Sequence, residues 1–146
     1  MIDYCTIIRS APELYVILSP DTTIIDASDA YLAATMVTRE DIIGCDLFDI
    51  FPDNPDIHGS KGSAALRDSI QTVLKTKQAI TMPTIKYDIR RPLSKGGTFE
   101  TRYWSTAHTP ILLAISQEIV KQFASTIEYT SVLNEETVFY FDLPLV

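Results

Sequence analysis

The sequence has few of the residues that would indicate a disulfide framework, a metal cluster or a membrane span. Only two cysteines occur in 146 residues, Cys5 and Cys45, and both stand apart from any histidine cluster. We interpret them as reduced thiols. No apolar run approaches the length of a membrane span, and the first residues lack the basic segment and cleavage site of a signal peptide. These absences predict a cytoplasmic protein with no membrane partner.

Positive charge is also scarce. The chain carries 12 Lys and Arg against 19 Asp and Glu, which gives a formal net charge of −7. Nucleic-acid binding needs a basic stripe that neutralises phosphates, so we expect no nucleic-acid partner. Since 46% of the residues are hydrophobic, the chain is able to bury one core, and we expect one compact domain with or without an appendage.

The clearest pattern in the chain is an antiparallel hairpin over residues 85–106. Two runs rich in Ile, Tyr, Phe and Thr flank a turn at residues 92–97 that contains Pro and two Gly. Alternation predicts that the first run points Ile85, Tyr87 and Ile89 towards the core. In the second run, apolar content places Phe99, Thr101, Tyr103 and Ser105 inward, and Glu100, Arg102, Trp104 and Thr106 outward. An outward Trp104 suggests that a terminal helix or a partner chain covers that face.

The rest of the chain mixes short strands with helices. The patterns predict a short helix over residues 4–10, strands over 14–18 and 22–25, and a helix that begins near Ser28. Two shorter helical segments come next, one that begins after an N-cap at Thr38 and ends at Gly44, and one helical turn over residues 46–51. An amphipathic helix then covers 63–76. This order predicts an α+β fold in which helices pack on one face of an antiparallel sheet.

Several motifs in this order resemble the PAS domain, a sensory module common in bacterial signalling proteins. The resemblance covers roughly Leu14 to Pro110, and the motifs that carry it are a helix at residues 29–35, the helix that contains Leu66-Arg67, and four further segments. They read Arg39-Glu40-Asp41-Ile42-Ile43-Gly44, Leu47-Phe48-Asp49-Ile50-Phe51-Pro52-Asp53-Asn54-Pro55, Lys86-Tyr87-Asp88-Ile89-Arg90-Arg91-Pro92 and Glu100-Thr101-Arg102-Tyr103-Trp104-Ser105. The resemblance implies a five-stranded antiparallel sheet and places the PAS domain at residues 14–111, after an N-terminal helical cap at 1–13.

The C-terminal segment, residues 112–146, departs from that family pattern. It resembles the very end of a histidine-kinase ATPase domain, with a helix near 113–123 and a Thr-Val-Phe-Tyr-Phe-Asp-Leu-Pro ending. The sheet otherwise lacks its last strand, and an open sheet edge invites pairing or aggregation. We therefore predict that residues 138–143 supply the missing strand, in a hairpin with 126–132, within the same chain or with a second copy.

Kinase chemistry is not expected. The resemblance to histidine kinases implies an Asn-bearing helix for magnesium, an Asp-x-Gly-x-Gly segment for adenine and a phosphoacceptor helix, and none of these occurs here. His108 lies near the end of a strand, so we do not interpret it as a phosphoacceptor. Asp88 and Glu100 lie on the predicted outer face, so no inward acid and base pair indicates another enzyme.

No cofactor is expected. Cys45 does not match the motif of flavin-binding PAS domains, and His58, in a glycine-containing loop, has the setting of a solvated side chain rather than a haem ligand. Three tyrosines, Tyr31, Tyr87 and Tyr103, are candidates to line an apolar ligand pocket, although aromatic residues at these spacings also form ordinary cores. Arg90 and Arg91 fit either an anion site or a solvated strand edge.

We interpret the chain as a non-catalytic PAS sensor and interaction module of bacterial two-component signalling. The predicted partners are an unknown small molecule in the PAS cavity and a second copy of the chain, with Trp104, Arg102 and Ile7 in the interface. Two alternatives remain open: a catalytically dead kinase remnant that pairs with intact histidine kinases, and a small-molecule enzyme on a cone-shaped α+β fold.

Overall fold

The computed structural model describes residues 3–111 and the backbone of a strand at 137–144. The predicted alternation of short strands and helices is observed. In chain order the elements are α1 (Tyr4–Arg9), β1 (Tyr15–Leu18), β2 (Ile24–Ala27), α2 (Asp29–Thr35), α3 (Arg39–Ile42), α4 (Leu47–Ile50), α5 (Gly62–Thr76), β3 (Ile80–Thr81), β4 (Ile85–Lys86), β5 (Ile89–Arg90), a 3₁₀ turn (Leu93–Lys95), β6 (Phe99–Glu100), β7 (Tyr103–Ile111) and β8 (Thr137–Pro144).

Side-chain caps fix where the helices begin. The Ser28 hydroxyl accepts the Tyr31 N–H at 3.2 Å at the start of α2, and Asp46 accepts the Phe48 N–H at 2.8 Å at the start of α4. These bonds satisfy N–H groups that have no partner within the helix. The sequence prediction of a cap at Ser28 is therefore confirmed.

The strands form an antiparallel sheet in the order β2-β1-β8-β7-β3, and β4 pairs with the same edge of β7 as β3 does. Because β3 and β4 lie end to end, the sheet has five strand positions, as predicted. Strands β5 and β6 pair with each other and form a separate hairpin. Among the described residues no helix is both long and apolar enough to cross a membrane.

Strand β8 takes the position that the sequence analysis gave to the C-terminal segment. It pairs with β7 from Trp104↔Pro144 to Ile111↔Thr137, and with β1 from Tyr15↔Phe141 to Leu18↔Val138. The prediction that this segment completes the sheet is confirmed for the backbone. The predicted helix at 113–123 and the hairpin partner at 126–132 lie outside the described residues.

The predicted face of Trp104 is wrong. Trp104 is 3% exposed and Thr106 is fully buried, whereas Tyr103 is 51% exposed. The cause is the register, which pairs Ile85 with Trp104 and Lys86 with Tyr103. Cross-strand partners point to the same side of a sheet, so Trp104 follows the inward Ile85 into the core.

Two clusters of apolar side chains hold the layers together. The larger one lies between the sheet and helices α2 to α5, and it includes Val16, Ile42, Ile70 and Val73, each less than 2% exposed. A smaller cluster joins Ile17 and Ile111 of the sheet to Cys5 and Ile8 of α1. Burial of this apolar surface is the main favourable term in folding.

A buried ion-pair network ties α1 and α3 to strand β2. The carboxylate of Asp26 is fully buried, and it accepts hydrogen bonds from Arg9 Nε at 2.8 Å and from Arg39 Nη1. Arg39 also reaches Asp29 at 2.6 Å through its second terminal nitrogen. A carboxylate in this position requires such partners, because an unpaired charge in the interior is very costly.

Candidate functional site

The candidate site is a small cavity between the inner face of the sheet and helices α2, α4 and α5. Its walls are mostly aromatic and aliphatic, and they come from all of these elements. The lining residues are Tyr31, Thr35, Leu47, Phe48, Phe51, Leu66, Ile85, Tyr87, Ile89 and Trp104.

The cavity volume is about 20 Å³. A space of this size accommodates about one water molecule, whereas cavities for drug-sized ligands run to roughly 300–1,000 Å³. A larger molecule therefore enters only if the helices move away from the sheet.

Three polar groups in the cavity wall are engaged with the protein backbone. The Tyr87 hydroxyl donates to the Phe51 carbonyl, the Thr35 hydroxyl donates to the Tyr31 carbonyl at 2.7 Å, and Trp104 Nε1 donates to the Tyr87 carbonyl at 2.8 Å. These bonds fix the side chains that carry them. The wall therefore offers mainly carbon to anything inside the cavity.

Aromatic contacts brace the helical side of the cavity. The rings of Tyr31 and Phe51 meet edge to face, with centroids 6.2 Å apart and planes at 86°. On the far side of Phe48, the guanidinium of Arg67 lies 3.9 Å from the ring centroid. Both geometries are favourable for aromatic side chains. The ring pair connects α2 to the end of α4, and the Arg67 contact connects α4 to α5.

Two of the three predicted pocket tyrosines line the cavity. Tyr31 and Tyr87 lie in its wall, whereas Tyr103 is 51% exposed and points away from it. Trp104, Phe48 and Phe51 also line the cavity, although their sequence pattern did not assign them to a pocket. Correct hairpin register would have identified Trp104. Phe48 lies on a four-residue helix and Phe51 caps the end of that helix, and only the fold reveals which side of so short a helix points inward.

Asp88 was predicted to lie on the solvated outer face, and this is also wrong. Asp88 is 8% exposed, and its Oδ2 accepts a hydrogen bond from Asn54 Nδ2 at 2.8 Å. Lys86 Nζ lies 4.0 Å from its other carboxylate oxygen. Glu100 is bound instead by Arg91 at 3.0 Å and Arg102 at 2.9 Å. The hydrogen bond from Arg91, with help from Arg102, holds the pKa of Glu100 below its ordinary value.

The other residues that the sequence analysis considered as metal, cofactor or anion ligands lie in separate places in the described part of the chain. No group of three His, Cys, Asp or Glu side chains there is arranged to hold a metal ion. Cys45 is half-buried, His58 is exposed, and Arg90 and Arg91 are exposed on the β5–β6 hairpin.

The sequence analysis missed the burial of His108. This residue of β7 is fully buried, and its Nδ1 lies 2.7 Å from the Ser69 hydroxyl of α5. Burial lowers the pKa of His108 from 6.5 to about 4, because a charged imidazolium is poorly solvated in the interior. The side chain therefore links α5 to the sheet in its neutral form.

We expect the stability of the chain to fall between pH 6.5 and pH 4 because of His108. In this range the unfolded chain binds a proton that the folded chain does not, so lowering the pH favours unfolding. The loss should reach about 3 kcal/mol near pH 4, from about 1.4 kcal/mol per pKa unit. Urea denaturation at a series of pH values measures it.

The matched variants for this measurement are His108→Gln and His58→Gln, which alter the two histidines of the chain. The three proteins share the same carboxylates, so the difference between the wild-type and His108→Gln profiles isolates His108. His108→Gln should flatten the profile, and His58→Gln, at an exposed position, controls for replacing a histidine elsewhere in the chain. Parallel profiles for wild type and His108→Gln would contradict the prediction.

Comparison with known proteins agrees with this architecture. The family model of the PAS fold matches residues 8–115 of the 146. The chain belongs to the PAS family. The resemblance stated from the motifs is therefore confirmed for this region. No curated protein sequence gives a significant match.

Solved PAS structures are similar in fold at low sequence identity. A PAS domain from a two-component sensor histidine kinase is 15% identical, with a TM-score of 0.55, and the match covers 97% of this chain and 93% of that one. The PAS domain of nitrogen regulation protein NR(II) from Vibrio parahaemolyticus is 12% identical, with a TM-score of 0.60 and coverage of 99% and 100%. The LOV protein of Rhodobacter sphaeroides is 11% identical, with a TM-score of 0.60 and coverage of 98% and 65%.

Proposed function

We propose that this PAS chain is a non-catalytic, cytoplasmic sensor and interaction module of bacterial two-component signal transduction. It senses a small molecule in the cavity between the sheet and the helices, and it works as a homodimer. The observation that carries the proposal is a small, aromatic-walled cavity in a PAS fold. The similarity to PAS domains of a sensor histidine kinase and of nitrogen regulation protein NR(II) supports the signalling context.

The cavity wall favours a small and mainly apolar ligand. Tyr87, Thr35 and Trp104 each use a polar group on a backbone carbonyl, so a polar ligand would have to compete with these bonds. A ligand larger than a water molecule must also separate the helices from the sheet. This displacement is the structural change that a sensor would transmit to its partner.

The absence of catalysis is part of the proposal. Asp88 is held by Asn54, and Glu100 is held by two arginines, so neither carboxylate is presented to the cavity as an acid or base. The ATP-binding and phosphoacceptor motifs of the kinases that the sequence resembles do not occur in the chain. A small-molecule enzyme on this fold is correspondingly disfavoured.

Homodimer formation is the second part of the proposal, and its surface needs revision. Of the predicted interface residues, Trp104 is enclosed in the core and Arg102 is bound to Glu100 at 2.9 Å. Ile7 is 54% exposed on α1 and is available to a partner. A single apolar residue contributes little contact area, so a second surface is required.

A native mass spectrum of the purified chain, recorded with and without added Mg-ATP, tests the proposal. We expect a dimer that carries a bound small molecule in the absence of additions and gains no ATP adduct. An empty homodimer would favour the alternative, a catalytically dead kinase remnant that pairs with intact histidine kinases. An ATP adduct would contradict the non-catalytic assignment.

A further inference from the structure

The β5–β6 hairpin presents an exposed leucine on a rigid turn. Leu93 is 83% exposed, more than Ile7 or Tyr103, the other exposed large hydrophobic residues in the described part of the chain. The Pro92 carbonyl accepts the N–H groups of Lys95 at 2.8 Å and Gly97 at 3.1 Å. These bonds close the turn, so Leu93 is held outward and a partner would lose little conformational entropy in binding it.

The same turn concentrates positive charge in an acidic protein. Arg90, Arg91 and Lys95 fall within six residues and are exposed, while the whole chain carries a net charge of −7. Arg91 is paired with Glu100 at 3.0 Å, and Arg90 donates to the Gly97 carbonyl at 3.2 Å. Lys95 is therefore the cation of the turn itself that has no carboxylate beside it in the described residues. We call residues 92–97, with the exposed Leu93 and Lys95, the basic tip, and its natural complement is an acidic surface with room for an apolar side chain.

Such a surface lies directly beside the basic tip. A cleft of about 610 Å³ separates the loop after α4 from the hairpin, and Asp56 is exposed in its wall. Asp53 in the same wall accepts the Ser63 N–H at 3.1 Å at the start of α5, while Asp56 makes no ion pair within the described residues. We call this the acidic cleft, because its two aspartates outnumber the single cation in its wall, Arg90, whose Nε donates to the Gly97 carbonyl.

We propose that two copies of the chain pair by placing the basic tip of each in the acidic cleft of the other. The basic tip and the acidic cleft lie on the same β5–β6 hairpin. If a two-fold axis passes beside this hairpin, the tip of the first copy enters the cleft of the second while the tip of the second enters the cleft of the first. Such an isologous interface closes on itself and requires self-complementary surfaces. Leu93 then lies in the partner's cleft, and Lys95 faces Asp56. This inference rests on the proposed homodimer and supplies the surface that Trp104 does not provide.

Two properties follow from this arrangement. Pairing removes the Leu93 side chain of each copy from water, so a dimer buries two of these side chains. Leu93→Ser changes both, and it should therefore weaken the dimer about 100-fold. Lys95 and Asp56 are exposed in the single chain, so their attraction is screened by salt. The dimer should therefore weaken as ionic strength rises.

A charge exchange across the interface tests the pairing. We expect Lys95→Glu and Asp56→Lys each to weaken the homodimer about tenfold or more, because like charges then meet twice. The double variant, Lys95→Glu with Asp56→Lys, should restore the wild-type dissociation constant. Sedimentation equilibrium over a concentration series into the high micromolar range measures these constants, and circular dichroism verifies that each variant is folded.

The control exchanges two exposed charges of α5, Lys75→Glu with Asp68→Lys. It preserves net charge and should leave the dissociation constant unchanged. A monomeric wild type, singly substituted chains that dimerise like wild type, or a double variant as weak as the single variants would overturn the inference. If Ile7→Ser dissociates the dimer while the tip and cleft variants do not, the homodimer proposal stands and this surface is wrong.

Discussion

Deletion of residues 137–146 should abolish the cooperative unfolding transition of the chain. Strand β8 lies between β1 and β7, and its backbone pairs with both over the registers Tyr15↔Phe141 to Leu18↔Val138 and Trp104↔Pro144 to Ile111↔Thr137. Its loss separates the sheet into two parts and opens two interior edges. The truncated chain should therefore be insoluble or show the lost near-UV dichroism and the dye binding of a molten globule.

The control for this deletion removes only Leu145 and Val146, which follow strand β8. This shorter deletion should leave the melting temperature unchanged. Tyr140→Pro is a milder disruption, because proline removes a backbone donor in the middle of a central strand. A soluble chain that lacks 137–146 and melts at the wild-type temperature would show that β8 does not hold the sheet together.

The position of β8 was predictable from its sequence, because the physical signals agreed. Residues 138–143 form a strand-like run, and the strand that carries Trp104 needed a neighbour. The sequence could not indicate that β8 also pairs with β1, since that contact depends on the closure of the whole sheet. Local pattern therefore identified the element, and topology decided its second partner.

The hairpin shows where sequence reasoning fails. Apolar content suggested that Tyr103 points inward, but the observed pairs Ile85↔Trp104 and Ile89↔Glu100 place even-numbered residues of the second strand beside odd-numbered residues of the first. A shift of one residue exchanges the two faces of a strand. The turn at 92–97 contains a 3₁₀ segment and two glycines with positive φ, so its composition does not fix the register.

The same limitation applies to the candidate site. Tyr31 and Tyr87 were identified because they fall on the inward side of well-predicted elements, and both line the cavity. Phe48 belongs to a single helical turn, for which periodicity carries little information. The contact between His108 and Ser69 joins residues 39 positions apart, and no local pattern specifies such a pair.

Trp104→Ala should destabilise the chain itself by about 3–5 kcal/mol, the usual cost of removing a buried large aromatic side chain. Trp104 is 3% exposed, forms part of the cavity wall and donates from Nε1 to the Tyr87 carbonyl at 2.8 Å. The variant therefore loses packing and also leaves a buried carbonyl without its donor. Because the chain has no other tryptophan, unfolding in urea is followed by circular dichroism.

Two further variants separate these contributions. Trp104→Phe retains an aromatic ring but removes the donor to Tyr87, and it should cost less than Trp104→Ala. Tyr103→Ala, at the adjacent and half-exposed position, should change stability by no more than about 1 kcal/mol, because little buried surface is lost. If Tyr103→Ala proved as destabilising as Trp104→Ala, the two residues would face the same environment, contrary to the observed register. If Trp104→Ala instead kept the wild-type stability and only dissociated a dimer, Trp104 would belong to an interface between copies and not to the core of one chain.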